Sequence, residues 1–593
     1  MAEPQTAILG VENSVAGQRW VMRPYDERTS LGMAQRLDIP EPVSRILSQR
    51  GVTLAEAESY LQPTLKSLLP DPSCLADMDK AVARLSDAVE NGSKVAVFGD
   101  YDVDGATSSA ILARYFQAIG LTIDTYIPNR MREGYGPNVD AFTQLCDAGN
   151  EIIITVDCGT MAHEALAYAQ NRGVDVIVSD HHQTGEAMPP CFALINPRRP
   201  DDASGLGHLA AVGVTFMLLV GLNRELRQRG FFKDATREPD LMGLMDLVAL
   251  GTVCDVVPLQ GVNRAFVIQG LRVMAQRGNT GLKHLSDISK LTGPPVVYDC
   301  GHRLGPRVNA GGRVGESDLG LRLLATDDPD VAAGLALRMD ELNMERREIG
   351  DHNLRVAEQQ VEEMLAKRNG LPPALVVTHE SFHAGVIGIV ASRLKDKYRR
   401  PVFVIALDEA GVGKGSARSI AGIDVGQLVA GAVSRNIISQ GGGHAMAAGL
   451  TVGQDQIADF ENFLDEKLGT LSFDGPRDLN IDTAISVSGA NRQFLEQVLQ
   501  AGPFGAGNPE PRFMFPATRI LHTSIVGDGH VRCQLGDEQG GRLKAMAFSS
   551  VDEPVRQMLT SGQKILHIAG HLRNDDWQGR RDVQLMIHDV ALV

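Results

Sequence analysis

The chain has 593 residues, of which 43% are hydrophobic and 22% are charged. This length is too great for one hydrophobic core, so we expect two to four domains of a globular protein. The net charge of −16 argues against attraction of nucleic acid by the whole surface, so any DNA binding has to rest on locally placed Arg and Lys side chains.

Three features indicate a cytoplasmic protein. No apolar run is long enough to span a bilayer, so we expect no membrane association. The N-terminal sequence lacks a basic region before an apolar stretch, so we expect no secretory signal. The seven cysteines are scattered without a C-x-x-C pair, which is typical of reduced thiols rather than of a disulfide framework or a zinc site.

The first chemical signal follows a predicted helix at 77–91 and a predicted strand at 95–98. The sequence GDYDVDG places Asp100, Asp102 and Asp104 directly after that strand, and a helical pattern begins at Ala106. Open α/β sheets bind ligands at the carboxyl ends of their strands, and oxygen-rich sites suit Mg²⁺ or Mn²⁺. Taken alone, the motif is equally compatible with a solvated loop or a helix cap.

Later motifs repeat this placement and make a solvated loop a poor explanation. VDCG supplies Asp157 after a predicted strand at 152–156, and SDHH supplies Asp180, His181 and His182 after one at 174–178. GTVCDVVPL supplies Asp255 after a helical segment at 240–250. Strand–helix alternation predicts a mostly parallel sheet with right-handed crossovers, further strands at 122–127 and 192–195, and a core helix at 209–226.

Two basic segments of this first lobe are predicted as glycine-containing loops that contact phosphate. The first is PNRMREGYGPN with Arg130 and Arg132, and the second is HRLGPRVNAGGRVGESD at 302–318 with Arg307 and Arg313. Glycine lets the backbone approach a ligand, and Arg offers a fork to phosphate. A surface turn and a plain basic loop are the alternatives.

A long helix at 329–370 is predicted to join this lobe to a second one.

The second lobe and the C-terminal segment carry weaker signals. Strands are predicted at 375–378 and 401–406. GKGSARS (413–419) is predicted as a Gly/Ser loop that carries Lys414 and Arg418, and GGGHAMAAG (441–449) as a loop whose backbone N–H groups wrap a phosphate. From Asp478 five predicted strands suggest an OB-type barrel, at 513–515, 520–525, 530–535, 543–548 and 564–572. Trp577 with Arg573, Arg580 and Arg581 could stack on bases and bind phosphates; a small barrel without DNA contact is the alternative.

The ordered set GDYDVDG, VDCG, DHH and GTVCDVVPL resembles the DHH phosphoesterase superfamily, and the length and later segments resemble its RecJ branch. The resemblance implies a two-metal phosphodiesterase, a class in which two ions about 3.5–4 Å apart activate a water and stabilise the leaving oxygen. It implies that Asp102 serves one Mn²⁺ or Mg²⁺ ion, that Asp104, His181 and Asp255 serve the other, and that Asp157 bridges them. His182 would face the substrate phosphate, and Asp180 would orient it, so that His182, Asp180 and Asp157 are the expected catalytic residues.

The resemblance also implies a set of DNA- or phosphate-binding residues: Arg130, Arg307, Asn309, Arg313, His383, Ser416, Arg418, Gly442, Gly443 and His444. One departure concerns the pyrophosphatase branch, which has a metal-binding His four residues before the counterpart of Asp102. Phe98 stands there in this sequence and cannot be a ligand, so one metal site is expected to depend more on water and substrate phosphate, with Asp100 as a partial substitute.

We therefore predict an α/β protein in which a parallel-sheet DHH domain and a smaller α/β DHH-associated (DHHA1-type) domain are joined by a long helix and followed by an OB-type barrel. The expected units are an N-terminal extension (1–76), the DHH domain (77–328), the connecting helix (329–370), the DHHA1-type domain (371–470) and the OB-type domain (471–593).

The predicted activity is 5′-to-3′ exonucleolysis of single-stranded DNA in repair and recombination. By resemblance the partners are a single-strand-binding protein and a RecQ-type helicase, and the chain is expected to be a monomer. A DHH enzyme acting on small substrates and a non-catalytic DNA-binding scaffold are the competing hypotheses. DHH enzymes that act on small substrates lack the added barrel. A non-catalytic scaffold would require the loss of metal ligands that are present in this sequence.

Overall fold

The computed structural model describes residues 6–130, 132–232, 238–368, 370–471, 473, 477–575 and 582–593. It contains two α/β units joined by one long helix, a C-terminal barrel, and an N-terminal segment that packs on the barrel. Within the described part of the chain, no helix is long and apolar enough to cross a membrane.

In their described residues, the N-terminal segment and the first α/β unit contain six strands and fifteen α-helices before the long helix. The elements of the N-terminal segment are β1 (Gln18–Met22), α1 (Glu27–Leu37), α2 (Glu41–Gln49), α3 (Ala57–Leu61) and α4 (Leu65–Leu68). The elements of the first unit are α5 (Met78–Asn91), β2 (Val95–Gly99), α6 (Val103–Ala118), β3 (Asp124–Tyr126), α7 (Val139–Asp147), β4 (Ile152–Val156), α8 (His163–Asn171), β5 (Asp175–Ser179), β6 (Ala193–Ile195), α9 (Ala211–Gln228), α10 (Met245–Cys254), α11 (Gly261–Ala275), α12 (Thr280–Ile288), α13 (Val297–Asp299), α14 (Gly305–Val314) and α15 (Leu319–Ala325).

The sheet of the first unit is parallel throughout, in the order β3-β2-β4-β5-β6. Its central strands are apolar because both faces are covered. Alternate residues such as Val97 and Ile154 join the core formed with α5, α6, α9 and α10, while Phe98 and Ile153 join the core formed with α7 and α8. The parallel sheet and its buried strands confirm the prediction for this lobe, and all strand carboxyl ends lie at one edge.

The prediction of a loop at 302–318 is wrong. One π-helical turn at Cys300–Leu304 leads into α14, and the glycines serve close packing rather than flexibility. A Cβ on Gly305 would lie 2.5 Å from Cys254 Sγ, and one on Gly312 would lie 3.0 Å from the Tyr101 carbonyl oxygen. The segment was misread because a glycine-rich helix that packs tightly against its neighbours has the composition of a loop.

The long connecting helix and the second unit follow. Their elements are α16 (Pro329–Arg368), β7 (Leu375–His379), α17 (Ile387–Tyr398), β8 (Val402–Leu407), β9 (Val412–Arg418), α18 (Val425–Ser434), β10 (Gln440–His444), β11 (Ala447–Gly453) and α19 (Ile457–Leu468). The helix predicted at 329–370 is confirmed as α16, which has 40 residues.

The loops predicted at 413–419 and 441–449 are wrong, because both segments lie in the sheet β10-β11-β9-β8-β7. GKGSARS forms most of β9, and GGGHAMAAG forms a hairpin of β10 and β11 that turns at Ala445 and Met446. Glycine is needed here for close packing of the hairpin: a Cβ on Gly441 would lie 2.5 Å from Val429 of α18, and one on Gly443 would lie 2.4 Å from the Ala447 carbonyl oxygen of the neighbouring strand.

The C-terminal part is a closed five-stranded barrel, which confirms the OB-type prediction. Its elements are β12 (Arg477–Ile481), β13 (Thr483–Ala484), α20 (Arg492–Gln500), β14 (Phe513–Val526), β15 (His530–Gly536), β16 (Arg542–Ala547), α21 (Glu553–Thr560), β17 (Ile565–Asp575) and β18 (Asp582–Leu592). The pairs β14–β15, β15–β16, β16–β18, β18–β17 and β17–β14 close the barrel. The strands predicted at 513–515 and 520–525 are one strand with an irregular register, and β18 was missed. Trp577, Arg580 and Arg581 lie outside the described residues.

The N-terminal segment belongs structurally to the barrel. β1 pairs in parallel with β12, and Trp20 is fully buried with its indole N–H donating to Asp589 at 2.8 Å. The barrel in turn is fastened to the first unit by Arg264 of α11. This buried guanidinium lies 3.8 Å from the centre of the Tyr60 ring and donates to the Tyr60 and Gly502 carbonyl oxygens. The Arg264 side chain therefore joins the first unit to both the N-terminal segment and the C-terminal part.

Candidate metal centre and phosphate pocket

The edge of the parallel sheet brings the acids of GDYDVDG to the starts of two helices. Asp102 is the N-cap of α6, and its Oδ1 accepts hydrogen bonds from the N–H groups of Asp104 (2.9 Å) and Gly105 (3.1 Å). Asp104 lies in the first turn of α6, and its carboxylate accepts from Ala211 N (2.6 Å) and Val212 N (2.8 Å) at the start of α9. Unpaired N–H groups at a helix N-terminus favour a carboxylate, so both acids are held in place.

Asp157 and His181 complete the centre of the cluster. Asp157 follows β4 with φ of 60°, a left-handed conformation that is uncommon outside glycine but is tolerated by Asp. His181 Nε2 lies 3.3 Å from Asp157 Oδ1 and 3.9 Å from Asp104 Oδ2, and His181 Nδ1 lies 3.6 Å from Asp255 Oδ2. The structure thus brings together the predicted ligands from β2, β4, β5 and the end of α10.

The cluster has the composition and the unsatisfied atoms of a cation site. Among the described residues, the ligand atoms form three overlapping groups within 4.8 Å: Asp157, His181 and His182; Asp104, His181 and Asp255; and Asp100, Asp102 and Asp157. Several of these atoms are buried without a hydrogen-bond partner in the described part of the chain, namely Asp100 Oδ1, Asp157 Oδ1, Asp255 Oδ2 and both ring nitrogens of His181. Oxygen-rich donors with one imidazole suit Mg²⁺ and Mn²⁺, so the residues fit the expected ions.

The electrostatics of the cluster favour a bound cation. Burial and the neighbouring Asp255 raise the pKa of Asp104 to about 7, and burial together with Asp102 raises the pKa of Asp255 to about 7. Burial and the surrounding acids also raise the pKa of Asp157 well above its usual range. Carboxylates this close destabilise one another when ionised, and a divalent ion would reverse that effect.

His182 faces the same centre, and Asp180 fixes the orientation of its ring. Its Nδ1 lies 2.8 Å from Asp180 Oδ1, and Asp180 is buried and also accepts from Thr160 N at 3.1 Å. Burial opposes protonation of His182, but the hydrogen bond and charge of Asp180 dominate and raise its pKa to about 9. The pairing with Asp180 therefore favours the protonated form of His182.

Two residues near the centre were not assigned a role from the sequence. The Tyr135 hydroxyl donates to the Asp157 carbonyl oxygen (3.2 Å) and lies 3.4 Å from His182 Nδ1. Tyr135 is the only aromatic residue of PNRMREGYGPN, which was the available signal. Tyr101 stands between Asp100 and Asp102 in the sequence. The Arg130 guanidinium lies over its ring, with 5.2 Å between the guanidinium carbon and the ring centre.

Phe98 points away from the metal cluster, into the core on the other face of the sheet. It is fully buried and stacks on Tyr126 with 5.5 Å between ring centres. Asp100, by contrast, belongs to one of the three candidate ligand groups. The geometry thus supports Asp100 as a substitute ligand where Phe98 provides none.

A pocket of about 440 Å³ lies between the two α/β units. Its lining includes six of the predicted phosphate-binding residues: Arg130, Arg313, Ser416, Arg418, Gly442 and Gly443. Arg313 donates to the Gly385 carbonyl oxygen (3.2 Å) across the gap, and Arg418 donates to Ser416 Oγ (3.0 Å). Burial, with a smaller contribution from the nearby Arg130, lowers the pKa of Arg313 to about 10. The same two causes lower the pKa of Arg418. Guanidinium groups that disfavour one another in this way are ready to bind an anion.

Four other predicted residues lie elsewhere. Arg307 is paired with Asp340 of α16 (2.8 Å), and Asn309 lines a groove beside the barrel. His383 Nδ1 accepts from Gly385 N (3.1 Å) behind the pocket, and His444 is exposed on β10. Phosphate contacts for these residues stay predictions.

Three family models match the chain. They are the DHH family N-terminal domain over residues 94–252, the DHHA1 domain over 372–470 and the RecJ OB domain over 481–589. The chain is 35% identical over 559 residues to the single-stranded-DNA-specific exonuclease RecJ of Dickeya dadantii, covering 93% of this chain and 96% of that protein. It is 34% identical over 569 residues to the protein of the same name from Escherichia coli, with the same coverage.

Solved structures agree with these relatives. The crystal structure of RecJ with Mn²⁺ from Thermus thermophilus has a TM-score of 0.80 and 28% identity, covering 97% of this chain and 79% of that one. The Mg²⁺ complex from the same organism has a TM-score of 0.74 and 26% identity, covering 97% and 78%. Proteins of this kind have therefore been solved with both ions that the sequence predicts here.

Metal binding can be tested by thermal unfolding of wild-type protein and Asp157→Asn. Asn tolerates the left-handed backbone at this position, so the substitution removes charge with little strain. We expect Mn²⁺ at about one hundred times its dissociation constant to stabilise the wild type by about 2.7 kcal/mol and to raise its unfolding temperature. We expect a much smaller response from Asp157→Asn. Asp246→Asn, which removes a buried carboxylate of α10 outside the cluster, should keep the full response. An equal response in Asp157→Asn would contradict the site.

Proposed function

Because the chain belongs to the RecJ family of single-stranded-DNA-specific exonucleases, we propose that it hydrolyses single-stranded DNA from the 5′ end in a reaction that needs Mn²⁺ or Mg²⁺. One observation carries the proposal: a buried cluster of unsatisfied metal-ligand atoms lies next to a pocket lined by three Arg side chains. The cluster fits phosphodiester hydrolysis, and the pocket fits the DNA phosphates that flank the reacting bond.

The residues divide into ligands and proton-handling groups. Asp102 with Asp157 would hold one ion, and Asp104, His181 and Asp255 with Asp157 would hold the other. When bound, the ions would supply an activated water and stabilise charge on the phosphate and the leaving oxygen. His182, held by Asp180 at 2.8 Å, would donate a hydrogen bond to the phosphate or a proton to the leaving oxygen. The Tyr135 hydroxyl would limit the positions that the His182 ring can adopt.

The arrangement of the pocket supports 5′ polarity. The pocket adjoins the metal centre through Tyr101, the neighbour of Asp102 in the chain, because Arg130 lies over the Tyr101 ring and α14, which carries Arg313, packs on the Tyr101 backbone. A terminal phosphate carries more negative charge than an internal one, and three Arg side chains with adjacent glycine backbone suit it. We infer that the 5′ end is held there while the bond behind it is cut.

The remaining proposals concern context. We propose a single-strand-binding protein and a RecQ-type helicase as partners, a monomeric chain, and a role in DNA repair and recombination, all by family resemblance. A cytoplasmic location is supported by the seven cysteines, all of which are free thiols. We also propose that the functional units are 1–76, 77–328, 329–370, 371–470 and 471–593.

The phosphate pocket can be tested by the salt dependence of DNA binding. Arg418→Ala should weaken binding similarly for all sequences and reduce the slope of log K against log salt by about 1, because one phosphate contact is lost. The measurement is fluorescence anisotropy over a salt series. Arg307→Ala is the matched comparison: an equal loss there would show that Arg307 leaves Asp340 for a phosphate. A loss confined to one DNA sequence would contradict phosphate recognition at Arg418.

Polarity and strand choice can be tested with three DNAs: a blunt duplex, a 5′-tailed duplex and a 3′-tailed duplex. A metal centre enclosed by two units should admit one strand and exclude a duplex. With Mn²⁺ we expect digestion of the 5′-tailed strand and little digestion of the others, measured on a denaturing gel. Equal digestion of the 3′-tailed DNA would refute the polarity, and equal digestion of the blunt duplex would refute the narrow opening.

A further inference from the structure

A cavity of about 340 Å³ lies where the N-terminal segment meets the first α/β unit, and the proposed function does not use it. Its walls include Tyr60 of α3, His208 in the loop before α9, and Gln260, Gly261 and Arg264 at the start of α11. We call this feature the junction cavity. None of its described lining residues belongs to the phosphate pocket or to the three candidate ligand groups, so it is a separate site.

The cationic side chain of Arg264 lies in the wall of the junction cavity without a carboxylate partner among the described residues. It is 1% exposed, and its Nε and Nη2 atoms donate to backbone carbonyl oxygens such as those of Tyr60 and Gly502. Its Nη1 atom has no hydrogen-bond partner in the described part of the chain, and burial lowers the pKa of this guanidinium. Buried charges are normally paired, so an anion would stabilise Arg264.

His208 supplies a second nitrogen that lacks a partner. Its Nε2 atom is buried and has no hydrogen-bond partner among the residues that the structure describes. This atom lies close to α11, because a Cβ built on Gly261 would lie 3.5 Å from it. Burial lowers the pKa of His208, and an anion next to Nε2 would oppose that effect and favour the protonated ring, in which Nε2 is a donor.

The start of α11 (Gly261–Ala275) adds the positive end of a helix. The side chain of its N-cap, Gln260, makes no capping hydrogen bond, and its first turn contains no acidic residue. The first N–H groups of a helix need acceptors from outside the helix, and together with the helix dipole they favour a phosphate. Arg264 follows Gln260 by four residues, so the backbone donors and the guanidinium stand at the same end of α11.

The other charged residues of the lining leave this positive charge uncompensated. Arg50 is already paired with Asp482, at 2.9 Å. Glu56 is exposed, and its carboxylate accepts hydrogen bonds from Thr53 N (3.1 Å) and Thr53 Oγ1 (2.7 Å). The cation that an anion in the junction cavity would neutralise is therefore Arg264.

We propose that the junction cavity binds a small phosphate-bearing anion, with its phosphate oxygens on Arg264, His208 and the first N–H groups of α11. Donors from two side chains and from the backbone match a dianion with several acceptor oxygens. Inorganic phosphate and a nucleoside 5′-monophosphate share this chemistry, and the volume of the cavity lies within the range of small-molecule sites. The inference does not depend on the proposed function, because it uses neither the metal centre nor the phosphate pocket.

The test follows the histidine ring signals of the full chain by NMR, with ¹³C at the histidine Cε1 atoms and EDTA to remove divalent ions. His208 reports on the junction cavity, and His208→Gln identifies its signal. His444 of β10, next to Gly443 of the phosphate pocket, reports on binding there, so the two sites are distinguished. The ligands are inorganic phosphate, deoxyadenosine 5′-monophosphate and, as the control without phosphate, deoxyadenosine.

We expect both phosphate-bearing ligands to shift the His208 signal towards the protonated ring, with saturation below about 10 mM, and deoxyadenosine to leave it unchanged. Tighter binding of the mononucleotide would identify a nucleotide as the ligand, and equal or tighter binding of inorganic phosphate would identify the free ion. No saturable shift of His208 with either phosphate-bearing ligand would overturn the proposal. An equal shift with deoxyadenosine would also overturn it, since the phosphate would then not be recognised.

Gly261→Asp and Gly261→Asn form a matched pair of variants. Both side chains tolerate the left-handed backbone at this position (φ 49°), and they differ in charge but hardly in size. A carboxylate beside His208 repels phosphate, so we expect binding at His208 to be roughly 10-fold or more weaker in Gly261→Asp than in Gly261→Asn. Equal affinities in the two variants would contradict an anion site. If either variant does not fold, the titration of the wild type decides.

Discussion

The buried acidic cluster is the constraint on which the rest of the structure depends. Among the described residues, five aspartates and two histidines meet at the edge of a parallel sheet, and several of their ligand atoms lack a described hydrogen-bond partner. The chain holds this arrangement by placing helix N-termini against the acids, most directly where both oxygens of Asp104 accept from the start of α9. Helix N–H groups stabilise one or two carboxylates, but full ionisation of the cluster needs a cation.

The second unit and the barrel are both fastened to the first unit, which carries this centre. The long helix α16 carries the second unit to the metal centre, and the contact of Arg313 with Gly385 joins the two walls of the phosphate pocket. Arg264 fastens the barrel to the first unit. Leu259, four residues after Asp255, also contacts the barrel, because its N–H donates to the Ala506 carbonyl oxygen (2.9 Å). The loop that docks the barrel therefore also supports the turn that carries a metal ligand.

The sequence predicted well those features that depend on local periodicity or on residue type. Buried strands such as β4 and the helix α16 have unambiguous patterns, and ligand-type residues after successive parallel strands have to meet at one edge. The sequence predicts loops where the structure has β9, the β10–β11 hairpin and α14. The reason is that glycine is equally suited to flexible loops and to close packing. Only the neighbours decide between these roles, as Tyr101 does for Gly312 and Val429 does for Gly441. A residue that is placed by tertiary contacts, such as Arg264, carries no local signal of its position.

The proposed function depends on two ions in this cluster, for which Asp157 would be the shared ligand. The most direct measurement is electron paramagnetic resonance of the full chain loaded with two equivalents of Mn²⁺. Two Mn²⁺ ions that share a carboxylate are magnetically coupled, so we expect the spectrum of an interacting Mn²⁺ pair in the wild type and loss of that spectrum in Asp157→Asn. A spectrum of isolated Mn²⁺ at two equivalents in the wild type would contradict the shared site.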